Sequence, residues 1–156
     1  MPEHIGVTAT RRGLTADQKQ RARWALIGLR DLHGATTLHH GDCLGGDVDV
    51  AEIAQELGYG LISHPCDLDA DRAYIPSEGV LPVRPPLQRN HDIVDAIGYL
   101  LGFPPENEEW LRSGTWATIR YARKVGRPRW IVGPAGDEVE RQRLALAADT
   151  AREDQP

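Results

Sequence analysis

Two stretches of this 156-residue chain hold residue types that could bind or act on a polar ligand. One is SGTWATIRYA at 113–122, where Ser113, Gly114 and Thr115 form a small polar turn in front of a helical run. A helix that starts this way leaves free backbone N–H groups and the positive end of its dipole facing outward, and these can hold a phosphate without a cationic side chain. The other is GDCLGGD at 41–47: Gly41, Gly45 and Gly46 permit close backbone approach to a ligand, and Asp42 and Asp47 can accept hydrogen bonds from ribose hydroxyls or a base edge. The same spacing also fits a plain turn with an aspartate helix cap. Arg11, Arg12 and Arg89 add planar guanidinium forks suited to phosphate oxygens, and Arg89 with Asn90 opens a short helical run. Solvated surface arginines or structural ion pairs would look the same.

Several other chemistries fit poorly. There is neither a G-x-G-x-x-G nor a G-x-x-x-x-G-K-[ST] pattern, which argues against an ordinary NAD(P) dehydrogenase or a P-loop NTPase. Ser113, Cys43 and Cys66 sit in no nucleophile-elbow or cysteine-protease signature. His39, His40, Asp42, Cys43, His64, Cys66 and Asp67 offer metal-ligand types. Adjacent histidines on a strand point to opposite faces, however, so His39 and His40 cannot easily share an ion. Asp67, Asp69, Asp71 and Glu78 have the spacing of a calcium loop, but Arg72 stands where its sharp turn needs glycine. Neither a metal nor a cofactor is expected.

The elements that must position these residues follow from periodicity. HIGVT at 4–8 reads as a buried strand whose end carries Thr8, Thr10 and Arg11. Thr15 and Gln18 make a capping box for a helix with Ala22, Leu26, Leu29 and Leu32 at helical spacing, ending at Gly34. A strand at 36–40, a helix carrying Val48, Ala51, Ala54 and Leu57, and a strand at 60–65 continue an alternating order that marks a parallel sheet. Residues 66–87, with four prolines and alternating aspartates, read as a long mobile surface excursion and a candidate lid. A short helix at 88–96, an apolar central strand at 97–104, the helix behind Ser113 and a strand at 129–133 follow. That helix should turn Trp116, Ile119, Ala122 and Val125 inward. A closing helix is expected from Asp137 to about Arg152, with a frayed tail after it.

The expected fold is therefore α/β: a Rossmann-like three-layer sandwich with a mainly parallel sheet of about five strands and helices on both faces. One domain should span residues 1–156. Ligands of such sheets bind beyond the carboxyl ends of the strands, where loops 8–12, 41–47, 64–67 and 104–115 gather. No stretch approaches a membrane span, the first residues lack a secretory apolar core, and two cysteines are too few for a disulfide framework, so a cytoplasmic protein is expected. A net charge of −5 argues against a general grip on nucleic acid. Trp24, Trp110, Trp116 and Trp130 read as core or interface residues, with Trp116 the one to watch as a stacking platform.

Taken together, GVTATRRGLT at 6–15, HHGDCLGGD at 39–47, QRNHDIVDA at 88–96 and SGTWATIRYARKVGRPRWIV at 113–132 resemble the SLOG superfamily of Rossmann-like proteins. That superfamily includes the LONELY GUY phosphoribohydrolases and the DNA-processing protein A domain. The resemblance implies a nucleotide or nucleotide-derived ligand in the crevice between these loops. The phosphoribohydrolases carry P-G-G-x-G-T-x-x-E; Gly114 and Thr115 match its G-T, whereas Arg112 and Ser113 replace the preceding glycine and variable residue and Thr118 stands at the glutamate. The phosphate cradle carries over and the catalytic acid does not, because a threonine cannot stabilise a cation-like transition state.

The first reading is thus binding of a nucleotide or nucleotide-derived signalling ligand, such as an ADP-ribose-type molecule. Its contacts are drawn from Thr8, Thr10, Arg11, Gly41, Asp42, Gly45, Gly46, Asp47, Arg89, Asn90, Ser113, Gly114, Thr115 and Thr118. The alternative is a nucleoside 5′-monophosphate phosphoribohydrolase in which Asp42 or Asp47 replaces the missing glutamate. A DNA-handling module is a third class, disfavoured by the acidic balance. Pairing through helices into a homodimer is plausible from the related folds.

Overall fold

The computed structural model describes residues 2–142. The chain alternates strand and helix: β1 (His4–Ala9), α1 (Ala16–His33), β2 (Thr37–His40), α2 (Gly46–Glu56) and β3 (Gly60–Ser63). A single 3-10 turn (Asp69–Asp71) and the two-residue β4 (Gly79–Val80) follow, then α3 (Pro86–Asp95), β5 (Tyr99–Phe103), α4 (Gly114–Lys124), β6 (Arg129–Val132) and β7 (Glu138–Arg141). The strands form one seven-stranded sheet in the order β4-β3-β2-β1-β5-β6-β7. Every pairing is parallel except β6 with β7.

This order is Rossmann-like and sets where a ligand can sit. From β1 the chain winds outward through β2, β3 and β4, then returns to the other side of β1 and winds outward through β5 and β6. The reversal leaves a crevice between the loops that follow β1 and β5, because those two loops diverge to opposite faces. Both strands are central and buried: Ile5, Val7, Leu100, Leu101 and Phe103 are at most 1% exposed.

Alternating side chains divide the core between the two faces. Leu101 and Phe103 of β5 join Ile5, Val7, Leu26, Leu38 and Val50 under α1 and α2. Leu100, one residue before Leu101 and so facing the other way, packs with Ile93, Val94 and Ala122 of α3 and α4. The capping box forms: Gln18 N–H donates to Thr15 Oγ1 and Thr15 N–H to Gln18 Oε1, each at 3.1 Å. Gln18 is itself buried and its amide donates to the carbonyls of Pro104 at 2.9 Å and Val132 at 3.1 Å. The start of α1 thereby fixes the exits of β5 and β6, the former being one wall of the crevice.

The structure departs from five expectations. The sheet has seven strands rather than about five. Residues 138–141 of the expected closing helix form β7, because Gly133–Gly136 makes a tight reversal in which Gly133 N–H meets the Asp137 carbonyl at 2.9 Å. The remainder of that expected helix lies outside the described residues. The excursion at 66–87 is tied down along its length. Asp42 binds Arg72 and the Ile75 amide, Leu44 N–H reaches the Asp71 carbonyl, and Glu78 accepts from Leu61 N–H. Helix α3 begins earlier than expected, at Pro86, since a proline at the first helical position forfeits no intrahelical bond. Among the inward residues expected of α4, Trp116, Ile119 and Ala122 are buried and Val125 is exposed.

Candidate functional site

A cavity of about 1070 Å³ opens where β1 and β5 end. Its walls come from the loop after β1, the loop after β2, the start of α3 and the long connection from β5 into α4. Ten of the residues singled out from sequence line it: Thr8, Thr10, Arg11, Gly41, Asp47, Arg89, Asn90, Ser113, Gly114 and Thr115.

The beginning of α4 forms one side. Ser113, in extended backbone conformation, caps the helix by accepting from Trp116 N–H at 3.3 Å. The amides of Gly114 and Thr115 come first in the helix, so they have no intrahelical partner and border the cavity. An anion placed there meets two N–H donors and the positive end of an eleven-residue helix.

Opposite lies Asp47, 3% exposed. Its Oδ2 accepts from Gly41 N–H at 2.8 Å and from Cys43 N–H at 3.4 Å, and Oδ1 has no partner among the described residues. Burial pushes the carboxyl up to about 6, against the opposing pull of Arg89 and the two amides. Arg89, 6% exposed, is an internal brace. Its guanidinium donates to the Gly41 carbonyl, to the His64 carbonyl at 3.2 Å and to Asn90 Oδ1 at 2.9 Å, and it touches Cys43 Sγ at 3.6 Å. It holds the loop after β2 in place and puts a fixed positive charge beneath the cavity. Cys43 also borders the cavity, and burial followed by the nearby Asp47 raises its thiol to about 11, so it is a neutral thiol at pH 7.

Four residues expected at the ligand are placed elsewhere. Both oxygens of Asp42 are engaged, Oδ2 by Arg72 Nε at 3.0 Å and Oδ1 by Ile75 N–H at 2.8 Å, and the residue is 1% exposed. Asp42 anchors the excursion and does not line the cavity. Gly45 and Gly46 permit close approach of another loop rather than of a ligand. A Cβ on Gly45, whose φ is +90°, would stand 2.1 Å from the Arg11 carbonyl oxygen, and one on Gly46 would stand 2.5 Å from Ala9 Cβ. Thr118 is buried, with its hydroxyl turned back to the Gly114 carbonyl at 3.0 Å. Arg11 borders the cavity but is exposed and pairs with Asp71 at 3.1 Å.

The loop 104–113 supplies what sequence reasoning passed over. Glu106, Glu109, Trp110, Leu111 and Arg112 all line the cavity, with Trp110 61% and Leu111 81% exposed. Glu106 Oε2 is buried with no hydrogen-bond partner among the described residues. The signal was a pair of large apolar residues in an acidic connector directly before a helix cap. Trp116, the tryptophan watched as a platform, is 1% exposed and packs with Ile119 and Ile131.

Four of the six histidines gather on β1, β2 and the end of β3. His4 Nδ1 meets His39 Nε2, and His39 Nδ1 meets His64 Nε2, each at 2.8 Å, making a chain of three imidazoles across β1, β2 and the end of β3. His40 points the other way, to Ser77 Oγ at 2.9 Å and to the Asp42 amide at 3.0 Å. Burial is the main reason that His39, His40 and His64 are each held down to about 4, so all three are neutral at pH 7.

No protein-family profile and no curated protein matches the chain. Solved structures do share its fold. The molybdenum cofactor binding protein from the phototrophic bacterium Rippkaea orientalis is 16% identical over 83% of this chain and 76% of its own, with a TM-score of 0.61. TM1055, a structural-genomics target, is 15% identical over 81% of this chain and 71% of its own, with a TM-score of 0.54. At these identities the likeness establishes the fold: the protein is a Rossmann-like α/β protein with a mainly parallel sheet. Among the described residues no helix is long and apolar enough to cross a membrane.

Proposed function

We propose that this chain is a SLOG-like protein that binds a nucleotide or nucleotide-derived ligand, with a phosphate at the start of α4. The observation carrying this reading is the cavity of about 1070 Å³ at the β1/β5 reversal, into which the first amides of α4 open. Its volume suits a ligand of nucleotide size or larger. Ser113, Gly114 and Thr115 would hold the phosphate, helped by Arg11, and Asp47 Oδ1 would accept from a ribose hydroxyl. Thr8, Thr10 and Asn90 would complete the polar wall. That one structural neighbour is named for molybdenum cofactor binding keeps a bulkier cofactor-like ligand within this reading. The protein is proposed to work in the cytoplasm and to pair as a homodimer, which sedimentation of the purified chain would test.

Thermal unfolding with a panel of nucleotides tests the binding. A ligand at 100 times its dissociation constant stabilises the fold by about 2.7 kcal/mol; no shift with any phosphate-bearing nucleotide would count against the reading.

A second reading, hydrolysis of the N-glycosidic bond of a nucleoside 5′-monophosphate, is favoured by one feature. Asp47 is a cavity carboxyl raised to about 6 with one oxygen unengaged, and such a group can take part in proton transfer near neutrality. Release of free base and ribose 5-phosphate, abolished in Asp47→Asn, would support the enzyme; stabilisation without products would support binding alone.

A further inference from the structure

The connection between β5 and α4 is anchored at several points, and it displays two large exposed apolar side chains, Trp110 and Leu111, at the cavity. Gln18 grips the Pro104 carbonyl at 2.9 Å. Asn107 sits so close to Gly133 that a Cβ on that glycine would stand 1.7 Å from Asn107 Oδ1. Arg120 of α4 donates to the carbonyls of Trp110 at 3.4 Å and Leu111 at 3.2 Å, and Arg123 holds Glu109 at 2.9 Å. The Ser113 amide closes the turn on the Trp110 carbonyl at 3.2 Å. A loop fixed at this many points does not need Trp110 and Leu111 for its own packing, and both remain exposed along the cavity. A large aromatic face held in place at a ligand cavity offers stacking area at little ordering cost.

Glu106 belongs to the same loop and cavity, and its Oε2 is buried with no partner among the described residues. A carboxylate oxygen cut off from water and donors is costly until an N–H reaches it. An ionised carboxylate accepts only, so it favours a ring edge that presents adjacent N–H donors. Guanine and pterin share such an edge, a ring N–H beside an exocyclic amino group. Adenine sets its amino group beside a ring nitrogen that accepts.

We propose that the loop 104–111 reads the ring of the ligand: Trp110 stacks on a planar 2-amino-4-oxo-pyrimidine-type heterocycle, and Glu106 accepts from its adjacent N–H groups. The order of the chain suits this, since Trp110 lies three residues before Ser113 and ring and phosphate contacts then come from one continuous segment. This proposal rests on the phosphate-binding reading of the same cavity and adds the class of ring.

Calorimetric titration of the full chain with guanosine 5′-monophosphate, a phosphorylated 6-hydroxymethylpterin, adenosine 5′-monophosphate and ribose 5-phosphate separates the two. The expected order is at least tenfold tighter binding of the guanine or the pterin compound than of the adenine nucleotide, with ribose 5-phosphate weakest. Which of the first two binds more tightly distinguishes a nucleotide from a pterin ligand. Glu106→Gln, nearly isosteric, should reduce the preference over adenine to less than threefold. Trp110→Ala should weaken every ring-bearing ligand about tenfold, and Trp110→Phe should restore most of that loss. Equal affinity for guanine, pterin and adenine compounds, or a preference untouched by Glu106→Gln, overturns the proposal. If ribose 5-phosphate binds as well as the ring-bearing ligands, the phosphate reading stands and the ring proposal fails. If none of the four binds, both fail.

Discussion

The loop after β2 and the loop after β5 leave the same edge of the sheet, and both carry residue types that suit a ligand. They put those types to opposite uses. In 41–47, Asp42 holds Arg72 and the Ile75 amide, Gly45 and Gly46 admit the loop after β1, and the Arg89 guanidinium is tied to the carbonyls of Gly41 and His64. Only Asp47 keeps an oxygen unengaged. In 104–113 Gln18 and Arg120 grip the backbone from outside and Arg123 holds the Glu109 carboxylate, which leaves Trp110, Leu111 and Glu106 to the cavity. Polar and glycine-rich sequence at a ligand-binding edge is readily consumed by the loop's own architecture, because a buried polar group must find a partner wherever it sits.

The largest effect expected on the closed side is acid lability. The buried histidines, held down to about 4, bind fewer protons in the folded than in the unfolded chain between about 4 and 6.5. Stability therefore falls as pH drops through that window, by up to roughly 1.4 kcal/mol per pH unit for each histidine. Asp47, raised to about 6, works in the opposite direction between its ordinary value and 6, and with one carboxyl against three imidazoles it only moderates the trend. Urea unfolding at pH 7.5 and pH 5 should show a loss of a few kcal/mol at the lower pH; equal stability at both would break the description of His39, His40 and His64 as buried and neutral.

Next in size is Asp42→Ala. It strands Arg72 and the Ile75 amide and should cost about 3 kcal/mol in chemical denaturation. An unchanged midpoint with weakened nucleotide binding would return Asp42 to the ligand side of the comparison.

Smaller still is Ser113→Ala, which removes the helix cap and should cost about 1 kcal/mol of stability while weakening every phosphate-bearing ligand. On the open side, Trp110→Ala should change stability by no more than about 0.5 kcal/mol, since the side chain is mostly exposed. A much larger loss in thermal unfolding would show that Trp110 packs as part of the fold and erase the contrast between the two loops.

Much of the scaffold was legible in the sequence for reasons tied to particular residues. Thr15 with Gln18 announced α1, and Gly34, Gly58 and Gly126 marked helix ends with left-handed backbone, φ +72°, +88° and +72°. The alternation of strand and helix implied the parallel sheet. What escaped were elements too short or too charged to show periodicity: β4 has two residues, and β7 is EVER, whose Glu140 pairs with Arg123 and Arg129. At the site, the capped start of α4 could be read because helix starts have a local code. The roles of Asp42, Gly45 and Gly46 could not, since their partners Arg72, Ile75, Arg11 and Ala9 are set by tertiary contact. Trp116 and Trp110 illustrate the same limit: helical spacing placed the first in the core, whereas the contacts from Gln18, Arg120 and Arg123 that pin the loop of the second come from distant or later segments.

The central claim is that the start of α4 holds the phosphate of the ligand. Amide chemical shifts of the nitrogen-15-labelled chain, followed while guanosine 5′-monophosphate or adenosine 5′-monophosphate is titrated in, test it most directly. Saturable shifts are expected, largest at Gly114 and Thr115, with smaller ones at Thr10 and Asp47. Amides of Gly114 and Thr115 that stay unmoved at millimolar nucleotide, or shifts confined to another part of the molecule, would contradict it.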